Sequence, residues 1–170
     1  MQIKIYLEFL MGQNKDVVKR TKVAGGVIIR VENELDKLLV IRRSKTDTWS
    51  GTWEFPRGHA KDNESLIQAL KREVKEETGL DIIPIKFIDK FMYLADQGTR
   101  ETTQYNYLCK MKDPNQKVKL SKEHDAFNWL TGMGEVELNV PPEMKKTISR
   151  VFNTKERIVI YPEKNEKISE

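Results

Sequence analysis

The segment Glu64-Ser-Leu-Ile-Gln-Ala-Leu-Lys-Arg-Glu-Val-Lys-Glu-Glu-Thr-Gly79 decides the architecture of this chain. Its apolar residues recur with the period of a helix, because at about 100° per residue they fall on one narrow arc. A glycine at position 79 is where a left-handed C-terminal cap is expected. The pattern predicts a helix over residues 64–78 that turns four side chains toward the core: Leu66, Ile67, Leu70 and Val74.

Three acidic residues disturb this otherwise ordinary amphipathic helix. Glu73, Glu76 and Glu77 are spaced i, i+3, i+4, and like charges at this spacing repel by a few tenths of a kcal/mol per pair. On the helical wheel Glu77 lies inside the apolar arc, and Glu73 lies at its margin. Lys75 points away from them, and Arg72 is expected to reach only one of the three. Partly buried carboxylates therefore need a positive partner.

Two explanations are open for this acidic group. One is a set of surface ion pairs with Lys71, Lys75 and Arg72. The other is a divalent cation, since Mg²⁺ and Mn²⁺ prefer clustered carboxylate oxygens. The helix alone does not choose between them.

The surrounding residues resemble a known family motif. Gly58 and Glu64, followed by Arg-Glu-Val-Lys-Glu-Glu-Thr-Gly-Leu at residues 72–80, match the Nudix box at every fixed position. Residues 24–29 and 38–43 resemble the family's first core strands. Those at 53–56 and 123–129 resemble its pre-box strand and its late acidic loop.

The resemblance to Nudix hydrolases implies an α/β (α+β) fold, an α/β/α sandwich with a mixed sheet between helices. We expect an N-terminal extension over residues 1–21, the domain over 22–155 and a charged tail over 156–170. The residue pattern agrees: it predicts strands over residues 23–31, 37–43, 52–56, 82–94 and 102–111, one or two short strands within 118–129, and a second helix over 141–152. Residues 32–36, 44–51 and 57–63 are predicted to be connections.

The resemblance also implies roles for individual residues. Mg²⁺, with Mn²⁺ as a substitute, would be bound by Glu73, Glu76, Glu77 and a carbonyl at or beside Gly58. Arg72 would orient a catalytic carboxylate through a charge-assisted hydrogen bond.

Further roles concern the base and the substrate. Glu73 and Glu123 are alternative general bases, and Glu64 supports the loop near the metal and substrate. Arg43 occupies the position of a phosphate-contacting arginine. His59 and His124 resemble histidines of dinucleoside polyphosphate hydrolases. The nucleobase would stack on aromatic walls drawn from Trp49, Trp53, Tyr93, Tyr105 and Phe127.

The implied reaction is metal-dependent hydrolysis of a nucleoside diphosphate linked to another group. Trp-Glu-Phe-Pro at residues 53–56 favours a modified nucleoside triphosphate such as oxidised dGTP, which would give the monophosphate and pyrophosphate. The pairs Gly58-His59 and Glu123-His124 favour diadenosine tetraphosphate or a similar dinucleoside polyphosphate. A non-catalytic nucleotide-sensing module is the third alternative.

Composition limits the setting in which the chain acts. With 30 basic and 26 acidic residues interleaved along 170, the net charge of +4 is spread over the surface, and we expect no nucleic-acid partner. The single cysteine, Cys109, excludes an internal disulfide and is expected to be a buried thiol, which fits a cytoplasmic protein. No segment has the length and apolarity of a membrane span, so we expect no membrane association. The resemblance is also compatible with a homodimer, since this state is common in the family.

Overall fold

The computed structural model describes residues 19–32, 35–46, 49–132 and 138–153. The strands are β1 (Lys19–Glu32), β2 (Leu35–Arg43), β3 (Trp53–Glu54), β4 (Arg57–His59), β5 (Ile82–Ala95), β6 (Arg100–Met111) and β7 (His124–Leu130). The helices are α1 (Leu66–Thr78) and α2 (Pro142–Asn153), and a 3₁₀ turn (Asp96–Gly98) joins β5 to β6. Most of the predicted extension and the whole predicted tail lie outside the described residues.

One mixed sheet of seven strands organises the domain. Its main path runs β3-β2-β1-β6-β5, while β4 pairs with β1 and β7 pairs with β2. The central pair β1 and β6 is parallel, and the other pairs are antiparallel. Strand β1 is buried over residues 23–29, as expected for a strand covered on both faces.

Each face of the sheet carries one helix, because alternate strand residues point to opposite sides. Ala24, Ile28, Leu39 and Ile41 pack with Leu70 and Val74 of α1. The intervening residues pack on the other face with α2 in a second cluster: Val27, Ile29, Leu38, Val40, Phe55, Leu108, Met144 and Ile148. The predicted α/β/α arrangement is confirmed. Within the described residues no helix is both long and apolar enough to cross a membrane.

Helix α1 begins and ends through local chemistry. Ser65 caps its start by accepting a hydrogen bond from the Gln68 backbone, and the Gln68 side chain accepts one from the Ser65 N–H in return. Gly79 ends it with φ 71°, a left-handed conformation that favours glycine. The predicted helix is thus confirmed with a start two residues later. Ile67 is exposed rather than buried, so the prediction that it faces the core is wrong.

Several other boundaries differ from the sequence-based predictions. Strand β1 begins at Lys19 rather than at residue 23, inside the predicted extension, and β6 begins at Arg100 rather than at residue 102. The strand predicted over residues 52–56 is limited to Trp53–Glu54. Residues 57–59 were expected in a loop but form β4, because Arg57, Gly58 and His59 pair with β1. Both strands of the first hairpin extend into the connection expected at residues 32–36. The prediction of one or two short strands within residues 118–129 agrees with the structure, which has one, β7; this strand pairs with β2 and ends at Leu130, one residue after the predicted stretch. The pairings of β4 with β1 and of β7 with β2 join segments distant in sequence, whereas the first hairpin is extended by local pairs such as Glu32 with Leu35.

Candidate active site

Gly58 brings the acidic helix face against the sheet. A Cβ built at this position would lie 1.9 Å from Glu73 Cδ and 2.2 Å from its Oε2, so only glycine lets the Glu73 side chain lie here. Burial raises the pKa of Glu73, although the adjacent Arg72 opposes the shift. Gly58 and Glu73, to which the family resemblance assigns one metal site, are therefore in direct contact.

Arg72 links several carboxylates at once. Its Nη1 donates to Glu73 Oε1 at 2.6 Å and to Glu76 Oε2 at 3.2 Å. Its Nε and Nη2 both donate to Glu64 at 2.8 Å, and Nη2 also donates to the carbonyl of His59 at 3.0 Å. The expectation that Arg72 reaches only one of the three box glutamates is wrong, because its Nη1 lies between Glu73 and Glu76 and donates to both.

Glu64 joins this network from the loop before α1. Hydrogen bonds from Arg72 and from the Lys61 backbone N–H lower the pKa of Glu64 to about 2. Glu64 therefore stays ionised and fixes both the loop and the arginine. Its contacts are with Arg72 and Lys61, and it does not line the cleft described below.

Glu77 lies deeper, as the helical wheel predicts, with 6% of its surface exposed. It accepts a hydrogen bond of 2.8 Å from the Arg57 backbone N–H. Burial raises its pKa well above the ordinary value, and the charges of Glu54 and Glu73 add to this effect. His124 Nε2 lies 3.9 Å from Glu77 Oε1 and 3.6 Å from Glu54 Oε1, beyond hydrogen-bond distance.

Glu54 is the centre of a buried ionic cluster on the sheet. Its carboxylate contacts Arg43 Nε at 2.6 Å through one oxygen and Arg57 at 2.7 Å through the other. Burial opposes ionisation, yet His124 and the two arginines together lower the pKa of Glu54. Arg57 also donates from Nη1 to Tyr93 at 2.5 Å and to Gln104 at 2.9 Å. The cluster thus holds Arg43 and Arg57 in place.

A cleft of about 720 Å³ opens in front of these arginines. Arg43, Arg57 and Arg100 line it, together with Gly58, His59, Trp49 and Tyr93. Arg100 lies 3.0 Å from His59 Nε2, and it pairs with Asp96 at 2.9 Å. Burial and the nearby Arg100 lower the pKa of His59, which favours its neutral form. Asp96 also lines the cleft, and Glu54 and Asp96 balance part of the positive charge of the three arginines. Guanidinium groups are suited to binding phosphate oxygens.

Comparison with known proteins identifies the family. The model of the NUDIX domain matches residues 20–151. The chain belongs to the Nudix family. It is 33% identical over 100 residues to the asymmetrical bis(5'-nucleosyl)-tetraphosphatase of Mus musculus, covering 56% of this chain and 67% of that protein. It is 36% identical over 76 residues to the 8-oxo-dGTP diphosphatase of Buchnera aphidicola, covering 45% and 55%.

Solved structures agree on the fold. The crystal structure of a C. elegans Ap4A hydrolase binary complex superposes with a TM-score of 0.67 at 24% identity, covering 77% of this chain and 94% of that one. The predicted family and enzyme class, a Nudix hydrolase of phosphoanhydride bonds, are confirmed by the family match and the hydrolase relatives. These relatives differ in the substrates that their names state.

The donor chemistry of the Nudix box fits a divalent cation. Glu73, Glu76 and Glu77 offer only hard oxygen ligands, and the close approach at Gly58 brings a carboxylate beside that residue's backbone. Burial is the main cause of the raised pKa of Glu77, with smaller contributions from Glu54 and Glu73, and a cation beside its carboxylate would favour the ionised form. Among the described residues, no three such side chains are gathered about one point. In this arrangement Glu73 and Glu76 are shared with Arg72 instead.

The other predicted site residues fall in two groups. Arg43 and His59 line the cleft, with two of the proposed aromatic walls, Trp49 and Tyr93. Glu123 is exposed, and within the described part of the chain no hydrogen bond or ion pair joins its carboxylate to the box. The remaining aromatic candidates lie elsewhere: Trp53 packs on the α2 side, Lys90 lies over Tyr105, and Phe127 is exposed.

Sequence reasoning missed the buried cluster and the far wall of the cleft. Glu54 and Arg57 were not selected as site residues, although an acid between Trp53 and Phe55 in an apolar strand was a usable signal. The sequence gives no such indication for Arg100 and Asp96, because both belong to a short polar segment that is typical of an exposed turn. Their importance follows from the folded position of that turn.

Proposed function

We propose that the chain hydrolyses a phosphoanhydride bond in a nucleoside diphosphate linked to a further group, using a divalent cation held by Glu73, Glu76 and Glu77. The preferred substrate is a modified nucleoside triphosphate, such as an oxidised dGTP, which would give the monophosphate and pyrophosphate. The relationship to an 8-oxo-dGTP diphosphatase supports this choice.

One observation carries the proposal: Gly58 belongs to both halves of the site. It contacts the Glu73 side chain on the helix, and it also lines the arginine cleft. A polyphosphate lying along Arg43, Arg57 and Arg100 would therefore pass beside the acidic helix face. The positive arginines would orient the negative phosphate chain. Positive groups close to the reacting phosphorus also stabilise the charge that develops there in the transition state.

The residues divide the chemistry between them. When bound, a divalent cation neutralises charge on the phosphate oxygens and acidifies water. Arg72 holds the carboxylates of Glu73 and Glu76, and the buried Glu54 cluster holds two cleft arginines. Glu73 is better supported than Glu123 as the general base, because Glu73 lies against Gly58, whereas the Glu123 side chain is exposed and is not joined to the box by a hydrogen bond or ion pair among the described residues.

A dinucleoside polyphosphate is the second candidate substrate. Arg100 adds a third guanidinium group to the cleft, and the adjacent His59 adds a neutral ring, so a longer phosphate chain would find further contacts there. The relationship to an asymmetrical bis(5'-nucleosyl)-tetraphosphatase points the same way. In addition, Glu54 and Phe55 are buried in structural roles, which weakens residues 53–56 as an indicator of a triphosphate substrate.

The test is a product analysis with purified protein. Oxidised dGTP, dGTP and diadenosine tetraphosphate are incubated with Mg²⁺ or with chelator, and the products are separated by anion exchange. We expect Mg²⁺-dependent cleavage, and Glu76→Gln is expected to reduce turnover by orders of magnitude without unfolding. Glu32→Gln, far from the box on the end of β1, serves as the matched control. Absence of cleavage of all three, or full activity of Glu76→Gln, would refute the proposal and favour a sensing module.

A further inference from the structure

A second pocket, of about 240 Å³, opens beside the arginine cleft at the start of α2. Trp49, Arg57 and Tyr93 line both spaces, so the pocket and the cleft adjoin. The other walls are largely apolar: Phe91, Leu94, Pro141, Pro142 and Met144. Pockets that hold a whole ligand usually measure about 300–1,000 Å³. This smaller pocket suits one flat part of a ligand whose phosphates lie in the adjoining cleft.

Most polar groups in this pocket are already engaged. The carboxylate of Glu54 is paired with Arg43 and Arg57. The Gln104 amide accepts from Arg57 at 2.9 Å and donates to Asn106 at 2.8 Å. These groups shape the pocket, but they have little capacity left to recognise a ligand.

Glu143 is different. It lines the pocket from the first turn of α2 and is half-buried. Its backbone carbonyl accepts from Thr147, but its carboxylate makes no hydrogen bond or ion pair within the described residues. An acid at a helix N-terminus interacts favourably with the helix dipole, which is the simple structural explanation. The apolar residues around Glu143 offer its carboxylate no hydrogen-bond donor, so the carboxylate is available to accept a hydrogen bond from a ligand.

The chemistry of a carboxylate selects one kind of base. Its two oxygens only accept, and guanine presents two adjacent donors, N1–H and N2–H₂. Adenine presents its N6–H₂ donor beside N1, an acceptor that a carboxylate repels. The hydroxyl of Thr52, which also lines the pocket, can donate or accept and does not discriminate.

We infer that this pocket holds the nucleobase and that Glu143 selects guanine over adenine. The inference rests on the proposed function, since it takes a nucleotide as the ligand. Oxidation of guanine at C8 leaves the N1 and N2 donors in place, so Glu143 does not distinguish oxidised from ordinary guanine. Selection by Glu143 acts on the base, whichever phosphate chain the cleft takes.

The test measures binding without turnover. Titration calorimetry in chelator compares guanosine, inosine and adenosine 5'-monophosphates with the wild-type chain, Glu143→Gln and Glu143→Ala. Wild type is expected to bind the guanine nucleotide about tenfold or more tightly than the adenine one, with inosine between them because it lacks N2–H₂. Both variants are expected to bring guanine and adenine within about twofold, while Glu32→Gln keeps the preference.

Several outcomes overturn the inference. The first is equal binding of the guanine and adenine nucleotides by wild type, and the second is no measurable binding of either. The third is equal weakening of both by Glu143→Gln, which would show that Glu143 only stabilises the start of α2. Because no hydrolysis is needed, failure of the proposed function remains distinguishable. A protein that keeps guanine selectivity but cleaves no phosphoanhydride would refute the catalytic proposal and leave the pocket assignment standing.

Discussion

Replacing Gly58 by alanine should separate catalysis from stability. The new Cβ would lie 1.9 Å from Glu73 Cδ, whereas ordinary contact begins near 3.4 Å, so the carboxylate must move by about 1.5 Å. Misplacement of a reacting group by about 1 Å costs roughly 100-fold in rate. We therefore expect kcat to fall at least about 100-fold.

The fold should tolerate the same change. Gly58 does not have a left-handed backbone, and the clash is with the end of a flexible side chain. The hydrogen bond from Arg72 to Glu73 would weaken, which costs about 1 kcal/mol for a partly exposed pair. For a chain of this size that corresponds to a Tm about 2–4 °C lower.

Steady-state kinetics with Mg²⁺ and thermal unfolding together test this expectation. Gly132→Ala is the matched control, because its Cβ would meet nothing within 4 Å and its backbone is not left-handed. It should change neither quantity. A folded Gly58→Ala protein with kcat within twofold of wild type would show that the position of Glu73 against Gly58 is unimportant.

Three further predictions concern stability and reactivity. Glu54→Gln leaves Arg43 and Arg57 without their buried counter-charge, and urea unfolding should show a loss of about 3 kcal/mol or more; a loss below about 1 kcal/mol would contradict the structural role of the cluster. Burial raises the pKa of Cys109 to about 12, so the native thiol should resist iodoacetamide at pH 8 and react after denaturation; rapid native labelling would be inconsistent with its buried position. Because the pKa of Glu64 is lowered from 4.5 to about 2, its pairing stabilises the fold above pH 4.5 and loses that effect as the pH falls toward 2. Glu64→Gln should flatten the acid limb of the unfolding free energy, and an unchanged limb would argue against this pairing.

Local patterns predicted the parts of the site that lie on one element. The period of residues 64–78 placed α1, and the same wheel placed Glu77 in the apolar arc, where it is buried. The prediction that Ile67 faces the core is wrong because a helical wheel gives only the direction of a side chain around the helix axis. How far the core extends around a helix depends on the sheet that packs against it.

Contacts between distant segments could not be obtained in this way. The pairing of Arg57–His59 with β1 and the burial of His124 near Glu54 both join residues far apart in the chain. The reach of Arg72 depends on its side-chain conformation, which sequence spacing does not determine. The arginine cleft therefore emerged only from the folded arrangement.

The most direct test of the central claim is a Mn²⁺ titration followed by electron paramagnetic resonance, which reports free Mn²⁺. Wild type and the Glu32→Gln control should bind the ion, and Glu76→Gln and Glu77→Gln should each weaken its affinity by roughly tenfold or more. Mn²⁺ affinity unchanged in both box variants would contradict a cation site on α1.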